Sequence, residues 1–248
     1  MKRVLLPPLA IALALALWEG AVRVVHIAPY ILPPPSRVFA AFGANLATLS
    51  LHGATTLVEI ALGLAAASLC GFAIALLLHA SPSVERAARP FLVASQMVPV
   101  FAIAPLLVVW LGYGIWPKVV VTALIGFFPI AVAESDGLRT ASPGAVDLLL
   151  SMGATRRQIL TKLLIPASLP ALFSGLKVAA TLSVVGATIG EWVGARRGLG
   201  FLMLEANARL RVDLVFASIL ALTLVGLLLY LALRIIERHA LRWRDRAL

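Results

Sequence analysis

Long apolar stretches alternate with short charged ones along the chain, and several of the apolar stretches are long enough to cross a membrane. A helix that spans the hydrocarbon core needs about 20 mostly apolar residues. Three stretches contain no Asp, Glu, Lys or Arg, namely Ile60 to Val84, Pro90 to Pro117 and Leu214 to Leu233. Three others are shorter or carry one or two charges, namely residues 4–27, 119–133 and 170–192. The pattern therefore predicts six transmembrane helices, with both termini on the same side.

Composition strengthens this prediction. The 248 residues are 61% hydrophobic and 13% charged, with a mean hydropathy of +1.01, far outside the soluble range. The fold class predicted is all-α integral membrane. The first 18 residues also fit a signal peptide, but five further spans favour an uncleaved first helix. A single cysteine, Cys70, excludes a framework of disulfides within the chain.

The distribution of basic residues predicts the orientation, because Lys and Arg concentrate in cytoplasmic loops. A cytoplasmic N-terminus places 14 of the 21 basic residues inside: Lys2, Arg3, Arg86, Arg89, Arg139, Arg156, Arg157, Lys162, Lys177, Arg234, Arg238, Arg242, Arg244 and Arg246. The other seven are then outside: Arg23, Arg37, Lys118, Arg196, Arg197, Arg209 and Arg211. We expect both termini to be cytoplasmic. The net charge of +10 then matches a negative inner membrane surface rather than nucleic acid.

An interfacial segment is predicted on the outer surface after the first span. Three consecutive prolines, Pro33 to Pro35, stop any preceding helix. Ser36 is then placed to cap a short helix with Val38, Phe42 and Leu46 on one face.

Small residues recur every four positions in the second and fifth spans. These are Gly63, Ala67, Gly71 and Ala75, and then Gly175, Ala179, Ser183 and Ala187. Such stripes let helix backbones approach closely in lipid, so we expect both helices at the protein's centre or at a subunit interface.

Polar and helix-breaking residues within the spans are candidates for a translocation pathway. The third span carries Gln96, Pro99 and Pro105, and a broken helix is tolerated only when it is buried or faces a watery cavity. From position and polarity the candidates are Gln96, Met97, Pro99, Thr181 and Glu191. The alternative is that the prolines only shape packing. The carboxylates of Glu59, Glu134 and Glu191 could likewise only reach an interface or pair with a neighbouring Arg.

Motifs for catalysis or cofactor binding are absent from the sequence. There is no Gly-x-x-x-x-Gly-Lys-Ser/Thr loop for ATP, no His, Cys and carboxylate spacing typical of a metal site and no Gly-x-Ser-x-Gly elbow. We therefore expect neither an enzyme nor a resident cofactor, and any energy from ATP must come from a partner.

The segment from Ser142 to Pro166 is the longest predicted cytoplasmic connection. Ser142 is a good N-cap followed by Pro143, which favours a helix ending at Gly153, the residue best able to adopt a left-handed conformation. Thr155 and Gln158 form a capping box that begins a second helix, which Pro166 is predicted to end.

Apolar side chains on this helix pair would lie on one face beside Arg156, Arg157 and Lys162. They are Val146, Leu149 and Leu150 in the first helix and Ile159, Leu160, Leu163 and Leu164 in the second. Such a face favours docking to another protein. The alternative is that it packs on the protein's own helix ends or on lipid headgroups.

This segment resembles the "EAA" loop of the membrane subunits of bacterial ATP-binding-cassette importers. Asp147-Leu148-Leu149 stands where Glu-Ala-Ala would be, Gly153 matches, and Leu163-Leu164-Ile165-Pro166 closes the motif at the expected distance. The resemblance implies that the loop, over residues 139–169, couples to a cytoplasmic ATPase subunit. The coupling residues it implies are Asp147, Leu150, Met152, Gly153, Ala154 and Arg156.

Other stretches resemble the branch of this family that imports nitrate, taurine, sulfonates, and thiamine or riboflavin precursors. They include LPPPSRVFAAF, FFPIAVAESDGLR and GEWVGARRGLGFLM. The resemblance implies a first transmembrane helix with an external interfacial segment over residues 1–54. A permease core of five transmembrane helices then follows over residues 55–248. It also implies alternating access by a homodimer with an ATPase dimer and an extracytoplasmic binding protein in a bacterial inner membrane.

The substrate implied is a hydroxymethylpyrimidine-type thiamine precursor or riboflavin, because DGLR (136–139), GEW (190–192) and GLGFLM (198–203) resemble those permeases. Sulfonate, taurine or nitrate is the alternative within the family. A carrier or channel that works alone is the alternative outside it.

Overall fold

The computed structural model describes residues 2–243, with side chains at residue 6 and from residue 8 onward. Within that part the chain forms helices and no strands. The α-helices are α1 (Lys2–Val24), α2 (Pro35–Ala44), α3 (Leu46–Ala80), α4 (Pro82–Ser95), α5 (Val100–Leu111), α6 (Trp116–Gly137), α7 (Pro143–Ser151), α8 (Arg156–Ile159), α9 (Ile165–Gly194), α10 (Leu199–Ala208) and α11 (Val212–Ala240). A π-helical turn, Leu160–Leu164, joins α8 to α9.

Four segments in the described part are long and apolar enough to cross a membrane, which confirms an all-helical, multi-pass protein. They are α3, α6, the continuous helix Arg156–Gly194 and α11; α4 and α5 add a fifth if that bent pair is one span. The predicted first span over residues 4–27 coincides with α1. The total of six spans and the side of each terminus stay predictions. Arg244 and Arg246, counted among the inner basic residues, lie outside the described residues, as do the side chains of Lys2 and Arg3.

The chain divides into two compact units, of which the first comprises Met1–Thr56 and Arg196–Leu224. In it, the predicted cap of the interfacial helix is wrong. The helix begins at Pro35 with Pro34 as its N-cap, and no side chain caps it from that position. Instead the Glu19 carboxylate of α1 accepts hydrogen bonds from Ser36 N at 2.9 Å and Ser36 Oγ at 2.8 Å. A negative charge at the N-terminus of α2 interacts favourably with the positive end of the helix dipole. The two hydrogen bonds also connect α2 to α1.

The second unit, Leu57–Ala195 with Val225–Leu248, is organised around the close approach of α6 and α9. A Cβ atom added to Gly175 would lie 2.8 Å from the Pro129 carbonyl oxygen, and one added to Gly186 would lie 2.8 Å from Thr122 Cα. Real side chains do not tolerate such distances, so glycine is required for the two backbones to meet. The structure confirms that the small-residue stripes pack at the centre of this unit, and we call the contact between α6 and α9 the glycine seam.

The third predicted span differs from the expectation of one kinked helix. Helices α4 and α5 meet at an angle of 91° across a break at residues 96–99. Pro99 is the N-cap of α5, whereas Pro105 lies inside α5 without interrupting it. The predicted helix breaker at 99 is therefore confirmed, and the segment begins earlier than predicted, at Pro82.

The prediction that Pro166 ends the second short helix is wrong. The helix continues from Arg156 to Gly194 through the π-helical turn. In that turn Ile165 N donates to the Leu160 carbonyl, five residues earlier. Proline lacks an N–H and its ring would clash with the carbonyl four residues before it in a regular helix. The wider turn directly before Pro166 accommodates it, so α8 and α9 remain one rod.

Candidate functional site

The corner between α7 and α8 is built by local capping interactions. Ser142 Oγ accepts a hydrogen bond from Ala145 N at the start of α7. At its end, Gly153 has φ of +80°, and Gly153 N and Ala154 N donate to the carbonyls of Leu150 and Leu149, both at 2.9 Å. These two bonds form a Schellman motif. A residue with a Cβ would be strained at Gly153, so glycine fixes where the chain turns.

The second arm of the corner begins with the predicted capping box. Thr155 Oγ1 accepts from Gln158 N, and Gln158 Oε1 accepts from Thr155 N at 2.8 Å. Both ends of the turn are therefore held by hydrogen bonds within a few residues. The chain reaches the corner along α7 and leaves it along one continuous helix that becomes α9.

The apolar residues of the corner divide between two directions, which corrects the single exposed face expected from sequence. Val146, Leu149 and Ala154 pack against a buried cluster formed by Leu138, Ile159 and Leu164. By contrast Leu148, Leu150 and Met152 are 61%, 51% and 74% exposed. We call these last three residues the tip. One side of α7 thus anchors the loop on the protein's own helix ends, and the tip projects away from it.

A cavity of about 780 Å³ opens between the corner and the ends of α3 and α6. Its wall includes the charged residues Asp147, Arg156 and Arg157 of the coupling loop and the tip residue Leu150, together with Arg139 just beyond the end of α6. Asp147 and Arg156 are both exposed. The structure therefore brings together the predicted coupling residues Asp147, Leu150, Met152, Gly153, Ala154 and Arg156 on one corner, where Ala154 is the member that faces inward.

The base of the coupling loop is held where α6 ends and α9 begins. Ser168 Oγ donates to Glu134 Oε1 at 2.7 Å, and both residues are fully buried. A Cβ added to Gly137 would lie 2.8 Å from Ala171 Cβ. The alternative from sequence was that Glu134 reaches an interface or pairs with an arginine. Instead it lies buried in the contact between α6 and α9 at the base of the loop.

A second buried polar contact lies at the other end of the glycine seam. Lys118 Nζ of α6 donates to Glu59 Oε1 of α3 at 2.5 Å, and the two residues are 6% and 1% exposed. Glu191 of α9 is also buried and interacts with Glu59. Lys118, counted above among the basic residues outside, is thus a buried partner of Glu59 where three helices meet.

The pathway candidates do not form one group. Gln96, Met97 and Pro99 lie together and exposed at the break between α4 and α5, with Met97 77% exposed. Thr181 is exposed on α9 and donates to the Val178 carbonyl, whereas Glu191 is buried about three turns farther along the same helix. The break is the part of the predicted pathway that the structure brings together.

Sequence reasoning missed the ion pairs that join α4 to the end of α6. Arg89 lies 3.4 Å from Asp136 and 3.7 Å from Glu85, and Arg139 also pairs with Glu85. Part of the signal was present as Glu85 with Arg89, because residues four apart share a helix face. Asp136 and Arg139 are close in sequence, but Arg139 lies beyond the end of α6. Among the described residues no group of three His, Cys, Asp or Glu side chains is placed to hold a metal.

Most of the chain matches a known protein family in sequence. Residues 60–242 match the family described as the binding-protein-dependent transport system inner membrane component. The formylaminopyrimidine transport permease protein ThiX of Halalkalibacterium halodurans is 39% identical, covering 97% of this chain and 96% of its own length. The riboflavin transport system permease protein RibX of Chloroflexus aurantiacus is 33% identical, over 95% and 89% of the two chains.

The fold is also found in a solved structure. A chain of the MetNI methionine ABC transporter in an inward-facing conformation superposes with a TM-score of 0.69. The match covers 79% of this chain and 97% of that one, at 21% identity. At that identity the likeness shows a shared fold.

Proposed function

Because the chain belongs to the family of binding-protein-dependent transport system inner membrane components, the permeases of ATP-binding-cassette importers, we propose that its tip docks on a cytoplasmic ATPase dimer and transmits ATP-driven movement. A member of this family is a transport component, and ATP hydrolysis resides in a separate subunit. The resemblance inferred from the sequence is therefore confirmed at the level of the family. The docking residues and the path of the movement are the content of the proposal.

The observation that carries the proposal is an exposed apolar tip on a rigid base. Leu148, Leu150 and Met152 are exposed at the end of a helix whose other face is packed. Exposed apolar clusters of this kind mark contacts with other proteins. Force applied to the tip would reach α6 and α9 directly, because the base of the loop is inside the glycine seam. A flexible loop would absorb such a force locally.

A second copy of the chain is proposed to cover the break between α4 and α5. Non-helical backbone at membrane depth is tolerated only inside protein or beside a watery cavity, and residues 96–99 are exposed in the single chain. A homodimer that meets at this break would place Gln96, Met97 and Pro99 along the pathway. Thr181 and Glu191 remain the pathway candidates of α9. In this arrangement both termini are cytoplasmic, in a bacterial inner membrane, and an extracytoplasmic binding protein delivers the substrate.

For the substrate we propose a pyrimidine precursor of thiamine, with riboflavin second. Support comes from the formylaminopyrimidine permease, whose 39% identity extends over nearly the whole chain, and from the riboflavin permease at 33%. Taurine, sulfonate and nitrate remain alternatives within the family. A carrier or channel working alone has no support, because the family depends on a binding protein.

The proposal is tested by uptake into proteoliposomes that contain this chain with its co-purifying ATPase and binding protein. Formylaminopyrimidine and riboflavin are the probes. Proline at position 153 cannot adopt φ of +80° and removes the Gly153 N–H bond to Leu150, so Gly153→Pro should insert but lose ATP-driven uptake. Gly144→Ala is the matched control, since a Cβ there meets no other atom within 4 Å.

Two outcomes would contradict the proposal. Full ATP-driven uptake by Gly153→Pro would exclude the corner as the coupling element. Uptake of either probe by the purified chain without ATPase or ATP would instead show a carrier that works alone.

A further inference from the structure

Helix α4 is attached to the rest of its unit in a different way from its neighbours. None of its side chains is buried, whereas α6 and α9 each bury a row of residues along the glycine seam. Beside α4, a cavity of about 330 Å³ lies between it and α6, with Leu92, Val93, Phe128 and Val132 in its wall. Within one chain, apolar packing therefore contributes little to the position of α4.

Four charged residues bridge this gap at one end of α4. Glu85 and Arg89 share one face of α4, Asp136 lies in the last turn of α6, and Arg139 follows the end of that helix. Arg139 pairs with Glu85, while Arg89 contacts Asp136 at 3.4 Å and Glu85 at 3.7 Å. Each side of the gap contributes one acid and one base, so both contacts across it join opposite charges. We call this set the ion bridge.

The ion bridge lies between the coupling loop and the helix that precedes the break. Arg139 is the first residue of the coupling loop, and its side chain also lines the cavity beside Asp147 and Arg156. Helix α4, at the other side of the bridge, ends at Ser95, directly before the break at residues 96–99. The bridge thus connects the base of the coupling loop to the helix that leads into the break.

We propose that Glu85, Arg89, Asp136 and Arg139 are positioning residues that make α4 follow the coupling loop, so that movement at the tip reaches the break. This inference rests on the proposed function. Isolated surface ion pairs contribute little to stability where helices also pack. Here the ion pairs cross a gap in which α4 buries no side chain. Glu85 is 14% exposed and is shared by two arginines.

The test measures distances by pulsed electron paramagnetic resonance in the complex with the ATPase. Spin labels at Ser95→Cys and Ser151→Cys report α4 against the loop, in a Cys70→Ser background diluted with cysteine-free chain. Labels at Ser151→Cys and Thr181→Cys report the loop against α9. Each pair is measured without nucleotide and with ATP and vanadate. In the unmodified ion bridge both distances should stay constant, because α4, the loop and α9 move together.

Breaking the bridge should change only the first distance. In Arg139→Glu, ATP and vanadate should shift the 95–151 distance and leave the 151–181 distance unchanged. The double variant Glu85→Arg/Arg139→Glu restores opposite charges between positions 85 and 139, the pair that crosses the gap, and should remove the shift. Arg86→Glu is the matched control, because Arg86 lies on α4 but outside the ion bridge, with its side chain bonded to the Pro82 carbonyl of the same helix. Glu85→Gln, which removes two pairs without reversing a charge, replaces Arg139→Glu if that variant does not insert.

The outcomes separate this inference from the proposed function. A chain that stimulates its ATPase but keeps a constant 95–151 distance in both Arg139→Glu and Glu85→Gln would overturn the ion bridge alone. A shift that persists in the double variant would also overturn it, because the pairing of charges would not be the cause. If the unmodified chain neither binds nor stimulates the ATPase, the proposed function fails and the inference fails with it.

Discussion

Helices α6 and α9 are held together in a way that α4 and α5 are not. The first pair meets along glycines so closely that added Cβ atoms would lie 2.8–2.9 Å from the opposite backbone, with a buried polar contact at each end. The second pair is bent by 91°, exposes Gln96 and Met97, and reaches α6 through ion pairs at one end. Both arrangements occur in the same compact unit.

The difference separates a part that we propose transmits movement from a part that we propose responds to it. Close-packed interiors resist deformation, so α6, α9 and the coupling loop between them should move as one body. Charged contacts across a gap permit rotation of α4 and expose the break to a second chain or to water. The predictions below test each side of this comparison.

Breaking the buried pair at the end of the seam should have the largest effect. Lys118→Met leaves the Glu59 carboxylate without its 2.5 Å partner and should destabilise the chain by about 3–5 kcal/mol. Thermal unfolding in detergent measures the loss. The double variant Lys118→Met/Glu59→Gln removes the uncompensated charge and should recover much of it. Equal losses in the single and double variants would show that the ion pair is not what the lysine provides.

A methyl group in the seam should come next. Gly175→Ala places Cβ 2.8 Å from the Pro129 carbonyl and from Ala133 Cβ, and overpacking of this kind costs about 1–3 kcal/mol. The matched control is Gly43→Ala in α2, which meets nothing within 4 Å and should be neutral or slightly stabilising. If both variants unfold at the same temperature, the seam is looser than described.

The corner of the coupling loop should show a smaller, local effect. Gly153→Ala forces a residue with a Cβ into a left-handed conformation, at a cost of about 1–2 kcal/mol. Faster hydrogen exchange of the Ala154 amide, which donates to Leu149, would report it. Gly144→Ala in the same loop should leave that amide unchanged. Identical exchange in the two variants would mean that the positive φ does not hold the corner.

Substitution at the break should affect stability least, by less than about 0.5 kcal/mol. Met97→Cys in a Cys70→Ser background should react with a membrane-impermeant maleimide, since the break is proposed to border a watery pathway. Ala180→Cys, at a residue with no exposure, is the control that should stay unlabelled. Reaction of Met97→Cys with apolar reagents alone would place the break against lipid and contradict the pathway.

Local chemistry made the coupling loop predictable from sequence. The caps at Ser142 and Thr155 and the left-handed Gly153 depend on neighbours within five residues, and each was confirmed. The prediction for Pro166 was wrong for a local reason as well. A π-helical turn lets the helix continue past this proline, and no residue pattern in the sequence predicts such a turn.

Contacts between distant residues were not predictable in the same way. The sequence places Lys118 next to a predicted loop, and only the folded chain shows it buried against Glu59. Ser36 illustrates the same limit. It was predicted to cap α2, but its N–H and hydroxyl donate to Glu19, 17 residues earlier. The stripes of small residues predicted close helix packing, but their partners across the seam, such as Pro129 and Thr122, depend on how α6 and α9 align.

Hydrogen exchange of the purified chain with and without its ATPase subunits tests the central claim most directly. If the tip docks on the ATPase, amides from Leu148 to Arg157 should gain protection when the ATPase is added, while those of α2 and α10 should not change. Unchanged exchange across residues 148–157 in a complex that hydrolyses ATP would show that the ATPase binds elsewhere, and would contradict the account.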